Sequence, residues 1–539
     1  MRLTPLHAGI VTTALCACTS SLPTLNSPPL VAEPSAGAVL DRCLVRVRIS
    51  QPGTDANAGQ TLTDASDPHA DWRVNGGPQI IASDASFVLD AEKDYTRFAP
   101  YVFAATLVPG ANHLEAGRCN SLDECGWTPI DLTVKLGAGS PNPAFAGSGQ
   151  LILPGYGLAK GYSGANSFTL LPDGRALVGV ELGAGVDPHD ALIAVRPDGT
   201  YDTSFGKAGV AVLPFINTRQ HLVPRAGGGF LALLDNSAGA WLMRLGKDGS
   251  VDTSFGQNGT LPIPLPAGSG SGAFTVNLVT ADSAGGFIVA GVVAIDNGSV
   301  FVEQVGPDGA LVASKVLGPV SSVGMPAAID DVGRIVLLSA GEMRKGSLAN
   351  GLDATFGAVA VAVPPAAQMG VAILGDSTAF AFLEGQSGGA SSSINAKLLM
   401  VAAGGSVKTI EIPFASPAGQ EVQLLPAADG ALYVASTLGH PAVPAQSATG
   451  DATPGTDVAL ARIRAGALDP SFGVAGIAHA SFMLSWSPIA VDTIYDAPVA
   501  IALSPDGDPW VLGTSVSTPA TAGTHTGRGP GTGIVRFMR

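Results

Sequence analysis

Charge is scarce in this sequence. Only 13% of its 539 residues are Asp, Glu, Lys or Arg, and 28 basic residues stand against 43 acidic ones. A formal net charge of −15 repels phosphate backbones and anionic lipid, which argues against nucleic acid as a partner. Aromatic residues are 6% of the chain, with 5 Trp and 7 Tyr, a thin supply for a sugar-stacking platform. Cysteine is sparse as well. There are five, none in C-x-x-C spacing, so a zinc ribbon or a redox motif finds no support. Beyond the first eighteen residues, no run is long and apolar enough to cross a bilayer as a helix.

What is plentiful points to strands. The chain carries 70 Gly and 40 Pro, yet 46% of its residues are hydrophobic. Gly and Pro weaken helix interiors and favour turns, and here they alternate with short apolar runs such as 176–180 and 230–234. The pattern predicts an all-β protein, and the length predicts two or more domains.

Residues 1–17 read as a lipoprotein signal peptide. Arg2 is their one positive charge, an apolar stretch runs from Leu6 to Leu15, and "LCAC" ends at Cys18. The run suits a secretory h-region and is too short for a spanning helix. It resembles the bacterial lipobox, which implies cleavage before Cys18 and a diacylglycerol on its thiol. Thr19 and Ser20 in place of Asp then imply an outer-membrane lipoprotein, periplasmic or surface-facing, attached through its lipid alone; a plain secretory signal is the alternative. Residues 18–38 are rich in Pro and Ser without a period and read as a tether.

Residues 39–136 differ in character. Alternation in "CLVRVRI" and "DLTVKL", with the strand-turn-strand pattern of "FAATLVPGANHLEAG", predicts a small β-sandwich. The segment "LVPGANHLEA" resembles bacterial immunoglobulin-like modules. Cys43, Cys119 and Cys125 all lie here, and an exported compartment permits a disulfide. Cys119 and Cys125 can close a small loop, or Cys43 can bridge to Cys119; either pairing leaves one thiol over.

From 137 to 539 the chain repeats itself. "DTSFG" stands at 202–206 and again at 252–256, returns as "DATFG" at 353–357 and "DPSFG" at 469–473, and has a weaker form, "NPAFAGSG", from Asn142. Eroded copies near Val312 and Lys408 keep the preceding strand and turn but lose the Phe. These anchors define seven intervals of about 40 to 70 residues, and a second motif, a turn followed by an apolar strand, also occurs seven times. The Asp (Asp202, Asp252, Asp353, Asp469) and the Thr or Ser after it are turn chemistry. Gly206, Gly256, Gly357 and Gly473 allow positive φ, and Phe205, Phe255, Phe356 and Phe472 supply one wedge per repeat between neighbouring sheets. The pattern resembles the delta-60 repeat, a domain of unknown function grouped with β-propellers. That resemblance implies a seven-bladed β-propeller over 137–539. The terminal "GIVRFMR" lacks the segment that should follow it, and 136–149 supplies that segment from the other end, pairing the two ends in one blade.

Chemistry is hard to find. The eight His are scattered, and no G-x-S-x-G elbow is present. "VDPHDA" gathers Asp187, His189 and Asp190 but reads as a polar turn, short of a metal ligand set. "SPDGDPW" carries Asp508 where a sialidase Asp box needs Gly, and reads as a turn with a core Trp510. No catalytic residue, metal site or cofactor is expected. The connections from second to third strand in each repeat should share one face. Those at 438–457 and 518–532 are long, that at 183–190 is medium, and closure makes their repeats neighbours. Loops on a rigid scaffold commonly carry binding, so His189, His440, His525 and Arg528 form the candidate binding rim. The expected role is a non-catalytic scaffold at the cell envelope, for an envelope or extracellular protein partner first and a glycan second. An extracytoplasmic hydrolase or lyase acting on a glycan or small molecule is the alternative, on fold analogy alone.

Overall fold

The computed structural model describes residues 30–50, 69–81, 101–119, 125–153, 163–182, 189–214, 219–225, 228–236, 239–263, 274–293, 298–323, 325–339, 341–361, 369–383, 394–416, 422–439, 456–482, 493–518 and 531–539. Among them one four-residue helix, Val320–Val323, interrupts an otherwise all-β chain.

Two sheets come first. Leu30–Glu33, Leu44–Ser50 and Tyr101–Thr106 form one of three strands. Val39–Leu40, Cys125–Val134, Gly110–Cys119, His69–Val74 and Ile80–Ile81 form one of five. They share a core. Cys43, Val45, Val47 and Ala105 from the first meet Trp72, Leu114, Ala116, Ile130 and Leu132 from the second. The tether read for 18–38 therefore ends sooner than its composition indicates: Leu30–Glu33 pairs with Leu44–Ser50, and Val31 packs against the core. The apolar "LVAE" follows two prolines, whose turn-like composition hid it. Cys43 is free and buried, while Cys125 is disulfide-bonded. The register sets Cys119 directly opposite Cys125.

The rest of the chain is a run of antiparallel strand sets. The first set is Ser163–Leu170, Ala176–Leu182, His189–Val195 and Val210–Val212. The second is Arg219–Pro224, Phe230–Asn236, Gly239–Leu245 and Thr260–Pro262, and the third Phe274–Ala281, Phe287–Val293, Ser299–Val305 and Leu311–Pro319. The fourth is Met325–Ile329, Arg334–Ser339 and Glu342–Ser347, with Gly351–Leu352 and Val359–Ala360 both on its third strand. The fifth is Met369–Leu374, Ser377–Leu383, Ile394–Val401 and Val407–Ser416. A nine-stranded sheet holds two more sets joined by one parallel bridge, Thr456 to Tyr495. Its sixth set is Gln423–Pro426, Leu432–Gly439 and Thr456–Arg464, with Ala467–Leu468 and Ile477–Ala480 on the last. Its seventh is Thr493–Leu503, Pro509–Thr518, Gly531–Arg536 and Gln150–Leu153.

First strands of successive sets lie against one another in chain order, and that of the seventh returns to that of the first. This layout of antiparallel sheets is consistent with a β-propeller. It also explains why the central strands are apolar on both faces. In His189–Val195, Ala191, Ile193 and Val195 enter the core shared with the seventh set, while Leu192 and Ala194 enter the core shared with the second. The ends of the chain meet in the seventh set. Gln150–Leu153 pairs with Gly531–Arg536, and Pro141 bridges Phe537. Phe145 rests 4.5 Å from Trp510, and Asn142 donates to Asp508 at 2.8 Å.

The repeated pentapeptide is a docking turn. Its Asp accepts from the backbone N–H and hydroxyl of the residue two on, at 3.1 and 2.6 Å for Asp252 with Ser254 and at 3.0 and 2.6 Å for Asp469 with Ser471. The Phe enters the next set's core: Phe205 lies 6.3 Å from Phe230, and Phe255 6.3 Å from Phe287. The Gly N–H reaches across too, Gly206 to the carbonyl of Asp248 at 2.7 Å and Gly473 to that of Ala138 at 2.7 Å. At Gly206 φ is +55°, and an added Cβ would sit 2.2 Å from the carbonyl oxygen of Val210, so glycine is required on both counts. Where the Phe is lost, near Val312 and Lys408, the outer strand runs straight out of the turn as Leu311–Pro319 or Val407–Ser416.

Candidate functional site

Antiparallel order puts every second-to-third connection at the same end of the sets as the start of each first strand. The end where third strands begin is therefore the loop end, and the repeat turns occupy the opposite end. His189 opens the third strand of the first set, opposite Leu182, and is half-buried. His440, His525 and Arg528 lie outside the described residues, as does Cys18, so the rim is described only through the strand ends that carry it. Those ends belong to the sixth, seventh and first sets, which contact one another through their first strands.

At the loop end, buried carboxylates stand on this sector and on the set beside it. Asp190 in the first set, Asp457 in the sixth and Asp496 in the seventh are each no more than 2% exposed. Asp235, at the same end of the second set, is buried as well. Around them Thr456 donates its hydroxyl to the carbonyl of Asp496 at 3.1 Å, and the Phe482 N–H donates to its carboxylate at 2.8 Å. The parallel bridge between Thr456 and Tyr495 makes Asp457 and Asp496 the next residue along each strand. Among the described residues, the corresponding strand ends of the third, fourth and fifth sets hold no buried carboxylate. Val293, Val300, Met343, Phe382 and Ala396 are buried there instead.

One pair escaped the sequence. His479 Nδ1 lies 2.7 Å from Asp457 Oδ2, and Arg42 of the N-terminal sheets places a guanidinium nitrogen 3.0 Å from His479 Nε2. Arg42 can only donate, so Nε2 accepts and Nδ1 carries the proton, which it gives to Asp457. The contact joins residues 437 apart in sequence, and the His–Asp contact joins neighbouring strands. Only the strand register could have revealed it. A histidine oriented by a buried carboxylate is the arrangement of a general base; here its free nitrogen is covered by Arg42.

A second set of residues gathers at the opposite, repeat-turn end. Arg244, Arg462 and Arg536 share one position near the end of their third strands, and Arg196 stands two residues further on, just past its own. Three of them reach the repeat Asp: Arg196 to Asp202 at 3.1 Å, Arg244 to Asp252 at 2.8 Å and Arg462 to Asp469 at 2.9 Å. Arg244 and Arg462 also cover the rings of Phe255 and Phe472, at 4.9 and 4.8 Å. The hydrogen bond from Ser204, then those from Arg175 and Arg196, hold the carboxyl of Asp202 at about 2 against the opposing effect of burial. These carboxylates serve turn structure. Among the described residues, no three His, Cys, Asp or Glu side chains gather as a metal site, and no helix is long and apolar enough to cross a membrane.

No family model matches the chain, and no curated protein does. Solved structures match distantly. A luciferin-regenerating enzyme is 12% identical at a TM-score of 0.32, over 62% of this chain and 99% of its own. A quinonprotein alcohol dehydrogenase-like protein from Bacteroides thetaiotaomicron is 10% identical at 0.33, over 94% of this chain and 99% of its own. The WD40 domain of SCAP from fission yeast is 9% identical at 0.36, over 69% of this chain and 82% of its own. These are distant likenesses to β-propeller proteins. At such scores they carry no argument about activity, and the fold rests on the strand pairing itself.

Proposed function

We propose that 137–539 is a seven-bladed β-propeller of delta-60-like repeats, preceded by an immunoglobulin-like sandwich and held at the outer membrane through a lipid on Cys18. In this reading it is a non-catalytic scaffold that binds an envelope or extracellular protein through the rim of the sixth, seventh and first blades, with His189, His440, His525 and Arg528 in the contact. The observation that carries it is the adjacency of the sixth, seventh and first sets, of which the sixth and seventh bear the two longest second-to-third connections and all three hold a buried carboxylate at that end, Asp457, Asp496 and Asp190. A rigid ring with polar, hydrogen-bonded strand ends is a suitable base for presenting variable loops.

The test is capture from envelope extract by protein beginning at Thr19, beside a variant whose 440–455 and 519–530 segments are cut to short turns. The expected result is a discrete partner held by the first and lost by the second. Capture that survives the cuts would remove the rim from the proposal. The Asp457–His479 pair favours a second reading, a hydrolase or lyase acting on a glycan or small molecule. A His479→Gln variant that abolished turnover of such a substrate would establish it in place of the scaffold.

A further inference from the structure

We propose that Arg42 and His479 form an acid-released latch holding the N-terminal sheets against the sixth set of the ring. Arg42 lies between Val39–Leu40 and Leu44–Ser50, one strand in each N-terminal sheet, so its backbone is anchored on both sides. Its side chain is 20% exposed and bonded at one end to Asp41, at 2.8 Å, and at the other to His479. His479 stands on the outer strand Ile477–Ala480, with its other nitrogen on Asp457, whose side chain is 3% exposed. The short run from Lys135 to Ala138 also joins the two, with Leu136 in one core and Ala138 in the next.

The hydrogen-bond pattern makes the latch one-way. Arg42 is a permanent cation and can bond Nε2 only while that nitrogen carries a lone pair. Imidazole is the side chain whose charge ordinarily changes between pH 5 and 8. Protonation of Nε2 turns the acceptor into a second donor facing a guanidinium, so the contact becomes a repulsion. The charged groups facing His479 are Asp457 on one side and Arg42 with Asp41 on the other. Burial pushes Asp41 up, but the Arg42 hydrogen bond and charge, with His479 adding, hold it below its ordinary value. Nε2 cannot hold a proton and accept from Arg42 at once, so protonation there and the contact exclude each other. By linkage, acid favours the released state.

The test follows the interdomain distance in the full chain, by energy transfer between dyes on Thr106→Cys and Val316→Cys, both exposed positions. The parent should shift between pH 8 and pH 5. His479→Gln keeps an acceptor for Arg42 and cannot titrate, and should hold the pH 8 distance throughout. Arg42→Ala should show the pH 5 distance already at pH 8. Circular dichroism of each variant checks that the sheets persist. A parent distance flat across the range, an equal shift in His479→Gln, or a docked Arg42→Ala would each overturn the latch.

Discussion

In the first, second, sixth and seventh sets, a Phe turn closes the outer edge before a short last strand of three or four residues, such as Val210–Val212 or Ile477–Ala480. In the third and fifth sets, strands of nine and ten residues take its place. The fourth set is intermediate, with a repeat turn whose Phe356 is only half-buried under Lys345. The same division separates the loop ends, since the four Phe-turn sets hold the buried Asp190, Asp235, Asp457 and Asp496. These four are contiguous once the ring closes. One arc therefore fixes its outer edges with side chains that reach into the next sheet and keeps polar groups at the loop end. The other relies on backbone pairing at its edges and is apolar at the loop end.

The largest expected effect breaks a Phe wedge. Phe205 is fully buried between the first and second sets, and removing a buried Phe ring costs about 3–5 kcal/mol through lost transfer energy and a cavity. Phe205→Ala should destabilise by about 4 kcal/mol and Phe356→Ala by about 1–2 kcal/mol, read as the shift in denaturation midpoint at unchanged slope. Equal losses would show that the two arcs do not differ in what holds their edges.

The border between the arcs offers a pH test. Glu303 in the third set is fully buried, with Ser314 donating to one oxygen at 2.9 Å and the other without a partner among the described residues. Alternation places it beside Phe301 and Val305 in the core shared with the second set. Burial pushes its carboxyl from 4.5 up to about 7, although the Ser314 hydrogen bond pulls the other way. A raised folded value means that the native state holds the proton longer than the unfolded chain. Its contribution is then full below pH 4.5 and is lost as pH rises through 7. A shift of that size corresponds to about 3 kcal/mol. Glu303→Gln should flatten the decline between pH 4.5 and 8 and exceed the parent at pH 8 by about 2 kcal/mol, measured by denaturation across pH. A parent with no decline, or one matched by the variant, would place the cost elsewhere.

The repeat was legible in the sequence because its parts are local. Asp202, Ser204 and Gly206 define their own turn, and Phe205 needs only an apolar neighbour to find a core. The joining of Gln150–Leu153 to Gly531–Arg536 was legible for a related reason, since each end lacked what the other had. The long outer strands at Leu311–Pro319 and Val407–Ser416 were not, because erosion of a motif says nothing about what replaces it. Leu30–Glu33 was concealed by prolines. The Asp457–His479 pair and its Arg42 cover depend on register across sheets and on how two bodies meet, which local pattern does not encode. Burial of Asp190 and Asp496 likewise follows from ring closure and not from their neighbours in sequence.

The smallest effect lies inside the Phe turn itself. Ala208, Asn258 and Ala475 stand two residues after the Gly at φ of +55°, +53° and +53°, and Ala146 takes the place of the Gly itself, directly after Phe145, at +51°. Each of the four Phe-turn sets has one, and the eroded sets do not. A left-handed backbone costs an L-residue about 1–2 kcal/mol because Cβ crowds the following carbonyl; Asn258 meets that cost best, since Asn tolerates the region. Ala208→Gly removes the crowding but enlarges the conformational freedom lost on folding, which offsets part of the gain. The net expectation is a stabilisation of about 0.5 kcal/mol, with Ala475→Gly showing the same sign. A control at Val212, exposed on the adjacent strand, should lose stability on the same change to glycine. If Ala208→Gly instead destabilises, the left-handed position carries no strain, and the Phe turns hold their arc without any local cost.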